Sequence, residues 1–133
     1  MRLTCRYSFS ASHRLDTPAL SPEENRRLYG KCNNPFGHGH NYTLDVTVEG
    51  PVDPNGQVVD REALHGLVKR HVLGLVDHKD LNRDIPGFLG VPTTENLAAL
   101  IERTLKDHWN LAPRLARIRI SETERNTFVL EAK

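Results

Sequence analysis

A chain of 133 residues, 26% charged and 38% hydrophobic, has the composition of one globular domain and is long enough to bury a core of its own. Its formal net charge of +1 gives no general drive toward nucleic acid or a membrane surface, and no run nears the roughly 20 apolar residues of a membrane helix. Two cysteines, Cys5 and Cys32, are too few for a disulfide framework. With no apolar signal-peptide core in Met1–Arg6, they predict a cytoplasmic location.

Polarity alternates from the start. Leu3, Cys5, Tyr7, Phe9, Ala11 and His13 share one face and Arg2, Thr4, Arg6, Ser8, Ser10 and Ser12 the other, which predicts a strand with one buried face. His13 closes the apolar row, as a core histidine satisfied by one hydrogen bond or as a metal ligand. Residues 16–36 contain Pro18, Pro22 and Pro35 and follow neither period. They predict a long connection of functional type, with a short helical turn near Glu23–Tyr29.

The densest chemistry lies in residues 30–42, Gly-Lys-Cys-Asn-Asn-Pro-Phe-Gly-His-Gly-His-Asn-Tyr. Histidines at i and i+2 of a strand point to one face, so His38 and His40 can converge on one ion, with Gly37 and Gly39 leaving room beside them. Such a pair is also compatible with a solvated turn. The alternation continues through Tyr42, Leu44, Val46 and Val48. If this strand pairs antiparallel with the first, His13 meets His38 and His40 at one sheet edge. Three imidazoles and one open position are the donor set of a catalytic zinc.

Asp53-Pro54-Asn55-Gly56 marks a turn. Asp60 is placed to cap a helix reaching about Val76, with Leu64, Leu67, Val68, Val72, Leu75 and Val76 as its apolar stripe and His65 and His71 toward solvent. Asp77-His78 follows at the helix exit, read either as an oriented base or as an ordinary loop. After a break over Pro86–Pro92, Thr93 is the expected cap of a second helix, Thr94 to about Trp109, with Glu95 in its first turn. Leu115–Glu122 and Thr127–Lys133 complete the pattern as a hairpin, and Glu122 ends an apolar row. A carboxylate there needs a bonding partner, such as a ligand with adjacent N–H donors, or reaches water at a frayed end. The order is β-β-α-α-β-β, an α+β domain over residues 1–133 with an antiparallel sheet covered on one face by two helices. Its open edges predict an oligomer with sites near the subunit contacts.

Five segments, Phe9–His13, Gly30–Tyr42, Leu75–Leu81, Pro92–Asn96 and Ser121–Thr123, together resemble the 6-pyruvoyl-tetrahydropterin synthase family nearly end to end. That resemblance implies the tunnelling fold (T-fold), a homohexamer of two stacked trimers with sites between subunits, and Zn2+ held by His13, His38 and His40. It implies Cys32 as general base, with Asp77 and His78 as relay partners across a subunit contact. Glu122 then anchors the pterin ring, and Thr93, Thr94 and Glu95 line the same pocket. The implied activity is a carbon–oxygen lyase that converts 7,8-dihydroneopterin triphosphate to 6-pyruvoyl-tetrahydropterin. A sister branch, the 6-carboxytetrahydropterin synthases of queuosine formation, releases acetaldehyde instead. Five residues separate Cys32 from His38, as in the pyruvoyl branch where the carboxy branch has three, and Asn126 also resembles the pyruvoyl branch. Phe36 stands where animal members have a polar residue. A non-catalytic protein with zinc closed by Cys32 as fourth ligand is the reading from another class, and a pterin-binding module without turnover is a third. Arg14, Lys31 and Lys79 are triphosphate candidates by proximity to these motifs.

Overall fold

A computed structural model of the chain describes residues 1–86, 88 and 90–133. Strand β1 (Arg2–His13) leads through helix α1 (Pro22–Tyr29) and a 3-10 turn (Gly30–Asn33) to β2 (His38–Glu49). A helical rod follows: α2 (Arg61–Val68), a π-helical turn (Lys69–Leu73) and α3 (Gly74–Val76). Then come β3 (Lys79–Asp80), α4 (Thr94–His108), β4 (Arg114–Ser121) and β5 (Thr127–Glu131).

The expected α+β layering holds, with one amendment to the sheet. Its strand order is β3-β1-β2-β4-β5. Four strands form the expected antiparallel ladder, and β3 adds a two-residue strand parallel to β1. The exit of the helical rod, expected as a loop, thus lies along the sheet edge: the His78 amide donates to the Ser10 carbonyl and the Leu81 amide to that of Ser12. The expected break over residues 86–92 includes Gly87 and Leu89, which lie outside the described residues.

Local chemistry explains each boundary. Asp60 accepts from the amides of Glu62 and Ala63, and Thr93 from that of Asn96, so both helices begin where a side chain satisfies an orphan N–H. Ser21 and Glu24 cap α1 reciprocally. Thr123 folds the β4–β5 turn by accepting from the amides of Arg125 and Asn126. Among the described residues no helix is long and apolar enough to cross a membrane.

The inner sheet face contributes Phe9, Ala11, Tyr42, Leu44, Val46, Val48, Ile118 and Ile120 to the core. Leu64, Val68, Val72 and Val76 from the rod and Leu97, Ile101 and Leu105 from α4 cover it, and this burial is the main drive for folding. The opposite face is polar and paired across strands. Asp45, nearly buried, accepts from Arg6 on β1 and Arg119 on β4, and Glu49 binds Arg2 and Arg114 in the same way. The hydrogen bond from Arg6 holds the Asp45 carboxyl below its ordinary pKa.

Candidate active site

The β1–β2 register places His13 directly opposite His38 and Ala11 opposite His40. By strand parity the three imidazoles therefore emerge on the inner face, at the end of the sheet where the helical cover stops. The predicted meeting of these residues is present. The Nε2 atoms of His13 and His40 stand 3.0 Å apart, and the His38–His40 rings are close to perpendicular, at 72°. The backbone is tight at Gly37, which has φ +72° and would set a Cβ 3.0 Å from the His13 carbonyl oxygen. Gly39 faces only ordinary contact, so Gly37 is the glycine the close approach requires.

His13 is buried, and its Nδ1–H donates to the Pro92 carbonyl at 3.0 Å. That bond fixes the tautomer and leaves Nε2 as a lone pair facing inward, the outer-shell arrangement common behind metal-bound histidines. Burial lowers the pKa of His13 and of His40, whose charged forms Glu122 partly restores, so neutral rings are favoured. Tyr42 packs edge-on against the His40 ring and stacks on Phe9, which holds His40 from behind.

Cys32 comes to the same point from the 3-10 turn. Its Sγ is 3.0 Å from His38 Nε2 and 4.0 Å from His40 Nε2. The turn is tied to β1 by long-range bonds: the Leu15 amide donates to the Cys32 carbonyl, while Asn33 Nδ2 donates to the Leu15 carbonyl and to Asp16. The donor atoms of His13, Cys32, His38 and His40 all lie within 4.8 Å of one another. Converging lone pairs of nitrogen and sulfur need either shared protons or a cation between them, and this donor set can hold a metal ion such as zinc. Burial first, and then the charge of Glu122, push the Cys32 thiol above its ordinary pKa, so without a cation the resting form is protonated.

Glu122 reaches this cluster from the end of β4. Its Oε1 is 3.0 Å from His40 Nε2 and 3.8 Å from His13 Nε2, so the carboxylate that ends an apolar row is bonded rather than frayed into water. The other predicted residues are placed differently. Asp77 and His78 do pair, at 3.0 Å, and Asp77 also accepts from the Ser10 amide. Yet His78 lines a cavity of about 520 Å³ at the sheet edge with Ser10, Ser12, Asn41 and His40, and the thiol of Cys32 in its own chain bonds to His38 and His40 and not to His78. Its φ of +59° is unusual for a residue with a Cβ, and such strain collects at functional positions. Thr93 uses its hydroxyl as a helix cap, Thr94 is buried with Oγ1 lacking a hydrogen-bond partner among the described residues, and Glu95 is exposed. The neighbouring Pro92 carbonyl, which accepts from His13, ties this segment to the cluster.

Sequence reasoning missed Asn33 and Pro92. Neither belongs to a periodic face, and both act through backbone carbonyl bonds to residues 17 or more positions away. The Asn33-Asn34-Pro35 run signalled a turn but not its partner.

Comparison with known proteins gives a consistent result. A family model described as 6-pyruvoyl tetrahydropterin synthase matches residues 2–133. The 6-pyruvoyl tetrahydrobiopterin synthase of Poecilia reticulata is 46% identical over 130 residues, covering 92% of this chain and 84% of its own. The Homo sapiens protein of that name is 43% identical over 130 residues, covering 96% and 89%. A solved structure of 6-pyruvoyl tetrahydropterin synthase from Caenorhabditis elegans superposes with a TM-score of 0.90 at 38% identity, covering 100% of this chain and 96% of that one. The α+β sheet and helices described above are thus those of a tunnelling-fold unit, and the chain belongs to the 6-pyruvoyl tetrahydropterin synthase family.

Proposed function

We propose that this protein is a zinc-dependent 6-pyruvoyl-tetrahydropterin synthase, a carbon–oxygen lyase that eliminates triphosphate from 7,8-dihydroneopterin triphosphate. The observation that carries this reading is the convergence of His13, His38, His40, Cys32 and Glu122 at one end of the β1–β2 ladder. His13, His38 and His40 would hold the ion. Bound there, zinc would supply Lewis acidity toward the side-chain hydroxyls of the substrate and a positive field that favours the Cys32 thiolate.

The remaining steps belong to the chain. Glu122 can accept from a ring N–H and the exocyclic amine of the pterin in a bidentate pair. Cys32 takes a proton from the side-chain carbon next to the ring, and the freed electron pair moves into the ring. A proton adds at the ring carbon, leaving a ketone on the side chain. A second proton is then lost from the middle side-chain carbon as the terminal C–O bond to triphosphate breaks. The C–H pair forms a C=C bond, the C–O pair leaves with the triphosphate oxygen, and the resulting enol tautomerises to the second ketone without a redox cofactor. Asp77 orients His78 as proton carrier. Because His78 lies away from Cys32 of its own chain, the pair would serve a neighbouring copy, in a hexamer of two stacked trimers. Thr93, Thr94 and Glu95 would border the pterin through the α4 N-terminus. The free thiols of Cys5 and Cys32 suit a cytoplasmic location.

Incubation of purified zinc-loaded protein with dihydroneopterin triphosphate, with the pterin identified by mass, tests the reaction. The expected product retains the three-carbon side chain and no acetaldehyde forms. Stoichiometric acetaldehyde would instead assign the 6-carboxytetrahydropterin branch. One observation favours a second reading: Cys32 Sγ is close enough to His38 and His40 to act as a fourth ligand of a closed zinc site. The behaviour of Cys32→Ala separates base from ligand.

A further inference from the structure

A groove of about 590 Å³ opens beside the cluster and is bounded at one end by His38. Its walls carry Arg14, Arg26 and Lys31, against the single carboxylate of Asp16. Arg14 spends part of its charge on Asp16, at 3.6 Å, and donates from Nε to the Asn33 carbonyl. Arg26 and Lys31 have no carboxylate partner among the described residues, and both side chains are exposed. The scaffold beneath them is fixed. Asn25, 2% exposed, accepts from the Thr17 amide and donates to the carbonyls of Thr17, Leu20 and Ser21, which pins the proline-rich connection against α1. The groove therefore presents unpaired cations on a rigid frame, a preorganised site for a polyanion.

Three other cavities are lined by cluster residues, and their charges differ. The one at Glu122 carries Arg6 and Arg119, both paired with Asp45, beside the carboxylates of Glu122 and Glu124. The one containing Lys79 also holds the carboxylates of Asp80 and Asp84. The one containing Arg83 shares Arg14 with the groove and holds Asp80, which pairs with Arg83 at 4.0 Å, so both of its cations already face a carboxylate. Carboxylates facing a bound polyphosphate would repel it.

We propose that the groove of Arg14, Arg26 and Lys31 is the subsite for the substrate's triphosphate, with Arg26 and Lys31 as its main contacts. The inference rests on the pterin-triphosphate reading of the adjacent site. A substrate whose ring is held at Glu122 and whose side chain reaches the imidazoles can continue past His38 directly into this groove. It assigns a role to Arg26, which lies outside every recognisable motif, and it removes Lys79 from the candidates.

The test compares the zinc-loaded protein with Arg26→Gln, Lys31→Gln and the double variant, using inorganic tripolyphosphate as probe in calorimetric titration, with zinc content measured before and after. Each exposed cation lost should weaken tripolyphosphate binding and raise KM for the pterin triphosphate by about tenfold, and the two together by about a hundredfold. Binding of unphosphorylated 7,8-dihydroneopterin should not change, nor should any value for Lys69→Gln on the remote helical rod. An unchanged affinity for tripolyphosphate in the double variant overturns the groove assignment, even where turnover persists. Loss of that affinity in a protein that fails to turn over the pterin triphosphate would leave a polyanion site standing and overturn the enzymatic reading instead.

Discussion

His13, His38 and His40 bring their ring nitrogens together at the end of β1 and β2, whereas His71 and His108 bring their ring faces together across the helical layer. The His71–His108 centroids are closer, at 3.7 Å, with the rings 15° from parallel. The His13–His40 centroids are 4.7 Å apart and the rings stand at 80°. Proximity is thus greater in the pair with no donor convergence. Parallel stacked rings set their nitrogens side by side, and His108 Nδ1 is already bonded to the Thr104 carbonyl of its own helix. Near-perpendicular rings with one tautomer fixed from behind aim lone pairs at a common point. The direction of the nitrogens, set by strand parity and by the Pro92 carbonyl, distinguishes a ligand set from a contact.

The largest expected effect breaks the first group. His40→Ala should lose bound zinc, from about one ion per chain, and turnover with it, as should treatment with a chelator, and added zinc should restore the chelated wild type. His71→Ala and His108→Ala should keep full zinc content by elemental analysis. Equal zinc loss in both groups would remove the distinction.

Next in size is Cys32→Ala. As general base, Cys32 accounts for a turnover loss of about a hundredfold or more, with zinc content and thermal midpoint close to wild type. Loss of metal and stability together would make it the fourth ligand of a closed site.

How far the sequence revealed this arrangement depends on the kind of order each residue obeys. His13, His38, His40 and Glu122 terminate rows of period two, so parity and antiparallel pairing sufficed to bring them together. The caps Asp60 and Thr93 were equally legible, because capping is local chemistry. Residues 77–80 were not: nothing in Asp77-His78-Lys79-Asp80 announces that two of them add a parallel strand beside Ala11 and Ser12. Nor does it reveal that His78 takes a left-handed backbone conformation there, with its amide bonded to Ser10. The approach of Cys32 depends on Asn33 reaching Leu15 and Asp16, a side chain bonding to distant backbone, which leaves no periodic trace.

A third, smaller effect tests that tie. Asn33→Ala removes the donor that holds the buried Leu15 carbonyl and the Asp16 carboxylate, and should cost about 1–3 kcal/mol of stability by denaturant titration. Turnover should fall while zinc content holds, because the imidazoles keep their own strand register. A variant that sheds zinc as readily as His40→Ala would show that the turn, and not the strand ladder, organises the cluster.

The smallest effect belongs to the stacked pair. Desolvation, then the charges of His108 and Arg70, lower the pKa of His71, so the fold disfavours the imidazolium that the unfolded chain accepts near its ordinary value of about 6.5. The unfolded state then binds more protons between the folded and unfolded pKa values, and stability rises with pH across that window. The His71 contribution is complete above the unfolded value and is lost as pH falls through the folded one. His71→Gln removes the titration, so the thermal midpoint of the wild type should decline relative to this variant between about pH 8 and about pH 5. His13 and His40 titrate in both proteins and cancel in the difference. The side chain is solvent-accessible, so the change should be the least of the four, and zinc content should not follow it. A midpoint difference that is flat over this range would mean that the stacked rings carry no charge penalty and serve as packing alone.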